Sequence, residues 1–319
     1  MSLATPLTDL LGIEHPVLLA PMGWVSGGAL AAAVSDAGGL GLIGGGYGEA
    51  GWLEAQLAAA GNQRIGTGFI TWSLARNPAL LDLVLARRPA AVMLSFGDPA
   101  PFAAAIRDAG AKLICQVQSV AQAREAAALG ADVIVAQGTE AGGHGAGRAA
   151  MALVPAVVDA VAPIPVAAAG GIADGRGLAA ALMLGAAGVL VGTRFFASEE
   201  ALGPTAAKLR IAAASGDDTL RTTVFDSVRA LDWPAPYTGR AIANDFSRRW
   251  HGREADLGAA LEAERARYAA AAAAGDVDTA VVFAGEAIDL IDAVEPARAI
   301  LARMVQQAQA CLRRGASLL

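Results

Sequence analysis

The stretch that decides the fold reads VIVAQGTEAGGHGAG at residues 133–147 and PIPVAAAGGIADGRGLAAALMLGAAGVLVGTRFF at residues 163–196. It contains three short apolar runs that each end at a glycine-bearing turn, with a long Ala/Leu helical pattern between the last two. This order is typical of a parallel βα unit. Neighbouring parallel strands end at one rim, so the turns after the last two strands are predicted to form one phosphate-binding site. The residues at these two turns are Gly170, Gly171, Gly192 and Thr193.

Apolar runs of the same kind recur along the first 200 residues. Eight of them begin near residues 17, 40, 65, 91, 113, 133, 166 and 189, and nearly every gap is 20 to 26 residues long. Each gap accommodates one strand, one helix and two turns. Eight such repeats predict an α/β fold, a TIM (β/α)8 barrel. A doubly wound open sheet would also alternate strands and helices, but it seldom has eight equal repeats.

The rest of the sequence predicts a cap on this barrel. Residues 204–280 combine helical stretches with an irregular segment, and an apolar pattern returns from residue 281. We therefore predict a barrel formed by residues 1–203 and 281–319, with a helical cap domain, residues 204–280, inserted before the C-terminal segment. Three aromatic residues of the cap could line a pocket, but a place in the core of the cap is favoured. They are Trp233, Tyr237 and Trp250.

Composition and charge exclude several classes of protein. The 319 residues are 55% hydrophobic, which is enough for a large core, and the net charge of −6 does not favour nucleic acid or an anionic membrane. The N-terminus lacks signal-peptide features and the apolar runs are too short to span a membrane, so we expect a cytoplasmic protein. Cys115 and Cys311 show no metal-ligand spacing, and we expect neither a disulfide nor a metal site.

His144 is the residue best suited to acid/base chemistry. It lies between glycines in the loop after the sixth predicted strand, at the rim where barrel enzymes carry their active sites. An imidazole with a pKa of about 6.5 can accept or give a proton near neutral pH. The alternative is a loop histidine that only binds backbone carbonyls, but the neighbouring phosphate site favours catalysis. His15 is expected to be structural, and His251 is expected at the surface of the cap.

Two further pairs of residues stand where predicted strands end. Met22 and Gly23 follow the first strand, where they could pack or let a flat cofactor ring approach the backbone. Gln116 and Gln137 end the fifth and sixth strands. A buried amide without a partner is costly, so each must hydrogen-bond within the barrel or to a ligand such as the edge of a heteroaromatic ring.

Three parts of the chain resemble, in order, the signatures of the nitronate monooxygenase family, formerly called 2-nitropropane dioxygenases. LLAPMGW (18–24) with ALAAAVSDAGGLGLIGGG (29–46) resembles the first signature, and AQGTEAGGHGAG (136–147) is similar to the histidine loop. PVAAAGGIADGRGLAAALMLGAAGVLVGTRF (165–195) resembles the phosphate signature. The resemblance implies an FMN-dependent enzyme that uses O2 to convert alkyl nitronates, or nitroalkanes, to carbonyl compounds and nitrite.

The resemblance also implies roles for individual residues. His144 would be the catalytic histidine, removing the proton α to the nitro group or binding a preformed nitronate. Met22 and Gly23 would face the redox edge of the flavin, and Gln116 and Gln137 would bind its pyrimidine end. Gly143 would be a further cofactor-binding residue. Five residues would hold the phosphate, namely Ala169, Gly170, Gly171, Gly192 and Thr193.

The sequence departs from the family pattern at two positions. Gly68 stands where many relatives have an asparagine that contacts the flavin. Gln116 stands where some relatives have lysine. Loss of that positive charge would make reduction of the flavin less favourable, so a different substrate range is expected.

Other functions share these signatures. Flavin-dependent enoyl-acyl-carrier-protein reductases contain them, and some family members act as NADH:quinone reductases. A dehydrogenase of the inosine monophosphate type would need a nucleophilic cysteine after the sixth strand, where this chain has none. A flavin-binding protein without turnover is a further alternative, against which His144 argues. The expected partners are a small-molecule substrate and O2, and a monomer or homodimer is expected.

Overall fold

The barrel strands lie where the sequence predicts them. A computed structural model describes residues 3–318, so residues 1, 2 and 319 of the predicted barrel lie outside the described residues. The described residues form eleven strands, of which β7, β10 and β11 make a second sheet and the other eight make the barrel. The strands are β1 (Val17–Leu19), β2 (Leu42–Gly44), β3 (Gly66–Ile70), β4 (Ala91–Ser95), β5 (Lys112–Val117), β6 (Val133–Gln137), β7 (Gly143–Gly145), β8 (Val166–Ala169), β9 (Gly188–Val191), β10 (Thr219–Thr222) and β11 (Thr238–Ile242).

The eight barrel strands are parallel and closed into a cylinder. Their order is β1-β9-β8-β6-β5-β4-β3-β2. The first and last strands of this order meet through Leu40, whose N–H donates to Val17 O at 3.0 Å and whose carbonyl accepts from Leu19 N at 2.9 Å. The predicted TIM barrel is therefore confirmed.

Helices surround the barrel and fill the C-terminal part of the chain. Two short 3-10 helices occupy Gly216–Asp218 and Glu286–Leu290. The helices are α1 (Pro6–Leu11), α2 (Gly28–Asp36), α3 (Ala50–Ala59), α4 (Thr71–Leu74), α5 (Ala79–Leu85), α6 (Ala100–Asp108), α7 (Val120–Ala128), α8 (Ala150–Val161), α9 (Gly175–Met183), α10 (Thr193–Phe196), α11 (Thr205–Ala213), α12 (Val224–Val228), α13 (Asp245–Trp250), α14 (Glu254–Ala274) and α15 (Ala297–Ala316).

Alternation along each strand divides the core into two layers. Leu18 points into the barrel, where it packs with Met93 and Ile114, while Leu19 and Ile43 pack outward against the helices. Side chains of α1 belong to the inner layer and close the end of the barrel at which the strands begin. A functional site is therefore expected at the opposite end of the barrel, where the strands finish.

The second sheet is a feature that the sequence does not predict. β11 pairs antiparallel with β10 and with β7, the strand that contains His144, and His144 lies opposite Gly239. Residues 204–280 thus contribute two strands in addition to their helices. Their own core includes Trp250 at 5% exposure, as expected for this tryptophan. The division into barrel residues 1–203 and 281–319 and cap residues 204–280 stays a prediction.

A search of residues 3–318 finds no helix with the length and apolar character needed to cross a membrane.

Candidate active site

A cavity of about 480 Å³ opens at the carboxyl end of the barrel strands. The structure brings ten of the eleven predicted site residues to its wall, namely Met22, Gly23, Gln116, Gln137, Gly143, His144, Gly170, Gly171, Gly192 and Thr193. Ala169 is the exception. It is buried in the inner layer of the barrel, and its carbonyl accepts a hydrogen bond from Gly138 N at 2.8 Å.

His144 is held by a carboxylate from the segment between β10 and β11. Its Nε2 lies 3.0 Å and 2.9 Å from the two carboxylate oxygens of Asp226, which belongs to α12. The two residues are 7% and 5% exposed, so the pair is screened from water. The backbone pairing of β7 with β11 is what fixes the histidine beside this helix.

The surroundings of His144 favour a neutral imidazole. Burial lowers its pKa below 6.5, and the hydrogen bond and charge of Asp226 oppose this only in part. The positive charges of Arg229 and Arg221 lower the pKa further. A neutral imidazole that donates from Nε2 to Asp226 carries its lone pair on Nδ1. The arrangement therefore supplies a base at Nδ1.

Trp233 stacks directly on the imidazole. The two ring centroids are 3.4 Å apart and the planes differ by 4°. The indole Nε1 donates to the hydroxyl of Tyr47 at 3.1 Å, and the ring also packs edge-on against Phe96. Trp233 lines the cavity, so its expected place in the core of the cap is wrong. Both places were open to it in the sequence analysis, because tryptophan suits either environment.

Three glutamines support the histidine loop from inside the barrel. Gln137 donates from Nε2 to the backbone carbonyl of His144 at 3.0 Å. Its Oε1 accepts from Gln118 at 2.8 Å and from Gln116 at 3.3 Å. Most of the bonding capacity of Gln137 is thus used within the protein. Contact of Gln116 and Gln137 with a flavin stays a prediction.

Two arginines fasten the same loop to the second sheet. Arg221 and Arg240 lie opposite each other on β10 and β11, and each donates from Nε to the carbonyl of Thr139. Arg240 also pairs with Glu286 at 2.8 Å. Burial lowers the pKa of Arg221 to about 10. Both guanidinium groups therefore hold this loop against the second sheet.

The glycine turns leave backbone donors unused at the rim. Gly170 and Gly171 have φ values of +101° and +69°, a region that L-residues seldom adopt. Within the part of the chain that the structure describes, the N–H groups of Gly171, Gly192 and Thr193 donate to no other residue. The hydroxyl of Thr193 accepts from Gly285 N at 3.0 Å, so its own proton is free to donate. Such unused donors suit a phosphate.

The departure at Gly68 has a steric cause. A Cβ at this position would collide with the ring of Pro21, which occupies the space where an asparagine side chain would begin. Gly68 lines the cavity, so any polar contact here must come from the backbone.

Asp226 and Arg229 are the residues that sequence reasoning missed. Both belong to the irregular stretch TTVFDSVRALDWPAPY at residues 222–237, and both lie near His144. Asp226 is 82 positions away from His144 along the chain, and nothing in the local pattern links the two. Among the described residues no group of three or more His, Cys, Asp or Glu side chains could hold a metal ion.

Comparison with known proteins identifies a family and several similar chains. The nitronate monooxygenase family model matches residues 4–64 and 71–307. Nitronate monooxygenase npaC of Metarhizium robertsii is 37% identical, with 93% of this chain and 91% of that protein covered. FabK from Thermotoga maritima superposes with a TM-score of 0.89 and 31% identity, covering both chains fully.

A Mycobacterium tuberculosis (3aS,4S,5R,7aS)-5-hydroxy-7a-methyl-1-oxo-octahydro-1H-indene-4-carboxyl-CoA dehydrogenase is also similar to this chain. It is 40% identical over 233 residues, which are 72% of this chain. The match spans 65% of that protein's length, slightly less than two thirds.

Proposed function

Because the chain belongs to the nitronate monooxygenase family, we propose that it oxidises alkyl nitronates, and neutral nitroalkanes, with O2 to carbonyl compounds and nitrite. One observation carries the proposal. A buried imidazole is held by a carboxylate at Nε2 and has no hydrogen-bond partner at Nδ1 among residues 3–318. It lies at the wall of a cavity that also contains unused backbone N–H groups suited to a phosphate. A proton acceptor beside a cofactor cavity is what a neutral nitroalkane requires.

We propose FMN as the cofactor, and the residues present fit it. The free N–H groups of Gly171, Gly192 and Thr193 would hold the phosphate, and Met22, Gly23 and Gln116 would border the ring. FMN, when bound, supplies the electron transfer between the substrate and O2. The protein supplies binding, orientation and proton transfer.

The chain's own chemistry begins at the Nδ1 atom of His144. We propose that Nδ1 accepts the proton from the carbon α to the nitro group, which leaves a nitronate and an imidazolium. Asp226, at 2.9 Å from Nε2, fixes the tautomer and compensates the imidazolium charge. Trp233 covers one face of the ring and keeps it from rotating. A preformed nitronate would need no proton transfer.

Gly192→Val is expected to weaken FMN binding by at least about tenfold. Overfilling a well-packed site costs ~1.4 kcal/mol or more, which corresponds to a tenfold rise in the dissociation constant. A Cβ at Gly192 would lie 3.5 Å from the Met22 Sδ and from the Ala20 Cβ, at the wall of the cavity, and the valine methyl groups would enter the phosphate end. The measurement is the dissociation constant of FMN, titrated into apoprotein by flavin fluorescence.

The matched control is Gly258→Val in α14, where a Cβ would meet no atom within 4 Å. This variant should bind FMN as the unmodified chain does. Circular dichroism shows whether both variants fold. A folded Gly192→Val protein with unchanged FMN affinity would remove residue 192 from the proposed phosphate site.

Anaerobic mixing of the FMN-loaded protein tests the function itself. An alkyl nitronate should bleach the flavin absorbance rapidly, whereas NADH should leave it unchanged, and in air nitrite should accumulate with consumption of the nitronate. Fast bleaching by NADH would instead favour an enoyl-acyl-carrier-protein reductase or an NADH:quinone reductase. No bleaching by either reagent would favour a flavin-binding protein without turnover.

A second candidate is oxidation or reduction of an acyl thioester. The observation that favours it is the 40% identity to the carboxyl-CoA dehydrogenase. The same anaerobic experiment with a saturated and an unsaturated acyl-CoA separates this candidate from the first. Bleaching of oxidised flavin by a saturated acyl-CoA, with none by nitronate, would place the chain in that class.

A further inference from the structure

Arg229 is a cation in the cavity wall that takes no part in the proposed proton transfer to His144. It follows α12 directly and lines the cavity. Of the cavity-lining residues that the structure describes, it is the one arginine or lysine. Its Nη1 is buried and has no hydrogen-bond partner within residues 3–318. A partly buried guanidinium charge without a carboxylate partner is costly, and an anion that enters the cavity would stabilise it.

Arg229 lies beside two aromatic residues of the cavity wall. Its Cζ lies 5.8 Å from the ring centroid of Tyr47 and 5.8 Å from that of Phe283. His144 packs on the same Phe283 ring, with centroids 5.5 Å apart. The base and the cation therefore border one space.

No carboxylate of the described residues neutralises Arg229 in an ion pair. Asp226, three residues before it, directs both oxygens to His144. Glu140, the acidic residue in the cavity wall, accepts from Ala150 N at 3.0 Å with both of its oxygens. The charge of Arg229 is thus available to an anion that enters the cavity.

We propose that Arg229 is the anion-binding residue of the substrate site and takes the two oxygens of a planar oxyanion, the nitronate group, with its guanidinium fork. The inference rests on the proposed function in its choice of the nitronate as the anion. A planar fork matches two coplanar oxygens better than a point charge does. Because a neutral nitroalkane lacks that charge until its proton is removed, Arg229 favours the nitronate over the nitroalkane.

The test uses the FMN-loaded protein and two unreactive planar oxyanions, nitrate and benzoate. Calorimetry gives their dissociation constants for the unmodified chain, Arg229→Met and Arg229→Lys. Loss of a charged hydrogen bond should weaken anion binding about 10- to 100-fold in Arg229→Met. Arg229→Lys keeps the charge without the fork and should lie between. The matched control is Arg248→Met, an exposed arginine of the cap paired with Asp245, which should not change binding.

Steady-state kinetics complete the test. The KM for an alkyl nitronate should rise with the dissociation constant of nitrate, whereas the KM for a neutral nitroalkane should change less than about threefold. Equal anion binding in the unmodified chain and Arg229→Met would overturn the inference, as would absence of anion binding in the unmodified chain. Loss of FMN from Arg229→Met would also overturn it, by making Arg229 a cofactor ligand.

Failure of the proposed function gives a different result. If the unmodified chain turns over no nitronate but binds nitrate through Arg229, the anion site stands and the proposed function falls.

Discussion

Asp226→Asn is expected to lower the turnover of a neutral nitroalkane about 100- to 10,000-fold, the range for loss of a positioned general base. An asparagine amide can donate to Nε2 of His144 and so hold the wrong tautomer, with the proton on Nδ1. The imidazolium formed in the reaction would also lose its compensating charge. FMN content should not change, because Asp226 contacts His144 rather than the glycine turns.

A pH profile distinguishes this positioning role from a structural one. Below its pKa the imidazole is protonated and no longer a base, so kcat/KM falls as the pH drops through that pKa. Burial holds the pKa of His144 below 6.5, so the acid limb of the unmodified chain should have its midpoint below pH 6.5. Asp226 raises this pKa, and its removal should move the midpoint to still lower pH.

The matched control for this variant is Asp245→Asn, an exposed carboxylate of α13 at 83% exposure of its side chain. It should leave both the rate and the acid limb unchanged. An acid limb at the same pH in Asp226→Asn and the unmodified chain would show that Asp226 does not act through His144.

His144→Asn is expected to separate the two substrates. Turnover of a neutral nitroalkane should fall about 100- to 10,000-fold, because asparagine cannot accept the proton. Turnover of a preformed nitronate should fall no more than about tenfold, because that substrate arrives without the proton. Asparagine is chosen because its amide can still donate to Asp226, which would otherwise be a buried carboxylate without a partner.

Two further variants complete this experiment. His251→Asn, at a half-exposed histidine that directly follows α13, is the matched control and should be fully active. The double variant of His144 and Asp226 should be no slower than His144→Asn alone, because the carboxylate acts only through the imidazole. Unchanged turnover of neutral nitroalkane in His144→Asn would exclude the histidine as the base.

Much of the barrel, and the glycine turns at its rim, could be predicted from sequence. Each barrel strand is a short apolar run bounded by glycine, and its position depends on residues within about ten positions. The turns at Gly170 and Gly192 follow strands that are neighbours in the barrel, so strand order alone brought them together. His144 could be identified from sequence for the same reason, because it is a titratable residue in a glycine loop at a strand end.

The sequence by itself therefore determined the eight repeats, the rim that carries the site, and the histidine. Only the tertiary structure decided which groups surround that histidine. Asp226, Arg229 and Trp233 reach it from a stretch more than 80 positions later, through the pairing of β7 with β11. Local periodicity reports which face of an element is buried. It does not report which distant carboxylate or cation shares that buried space, because that depends on backbone pairing between segments far apart in the chain.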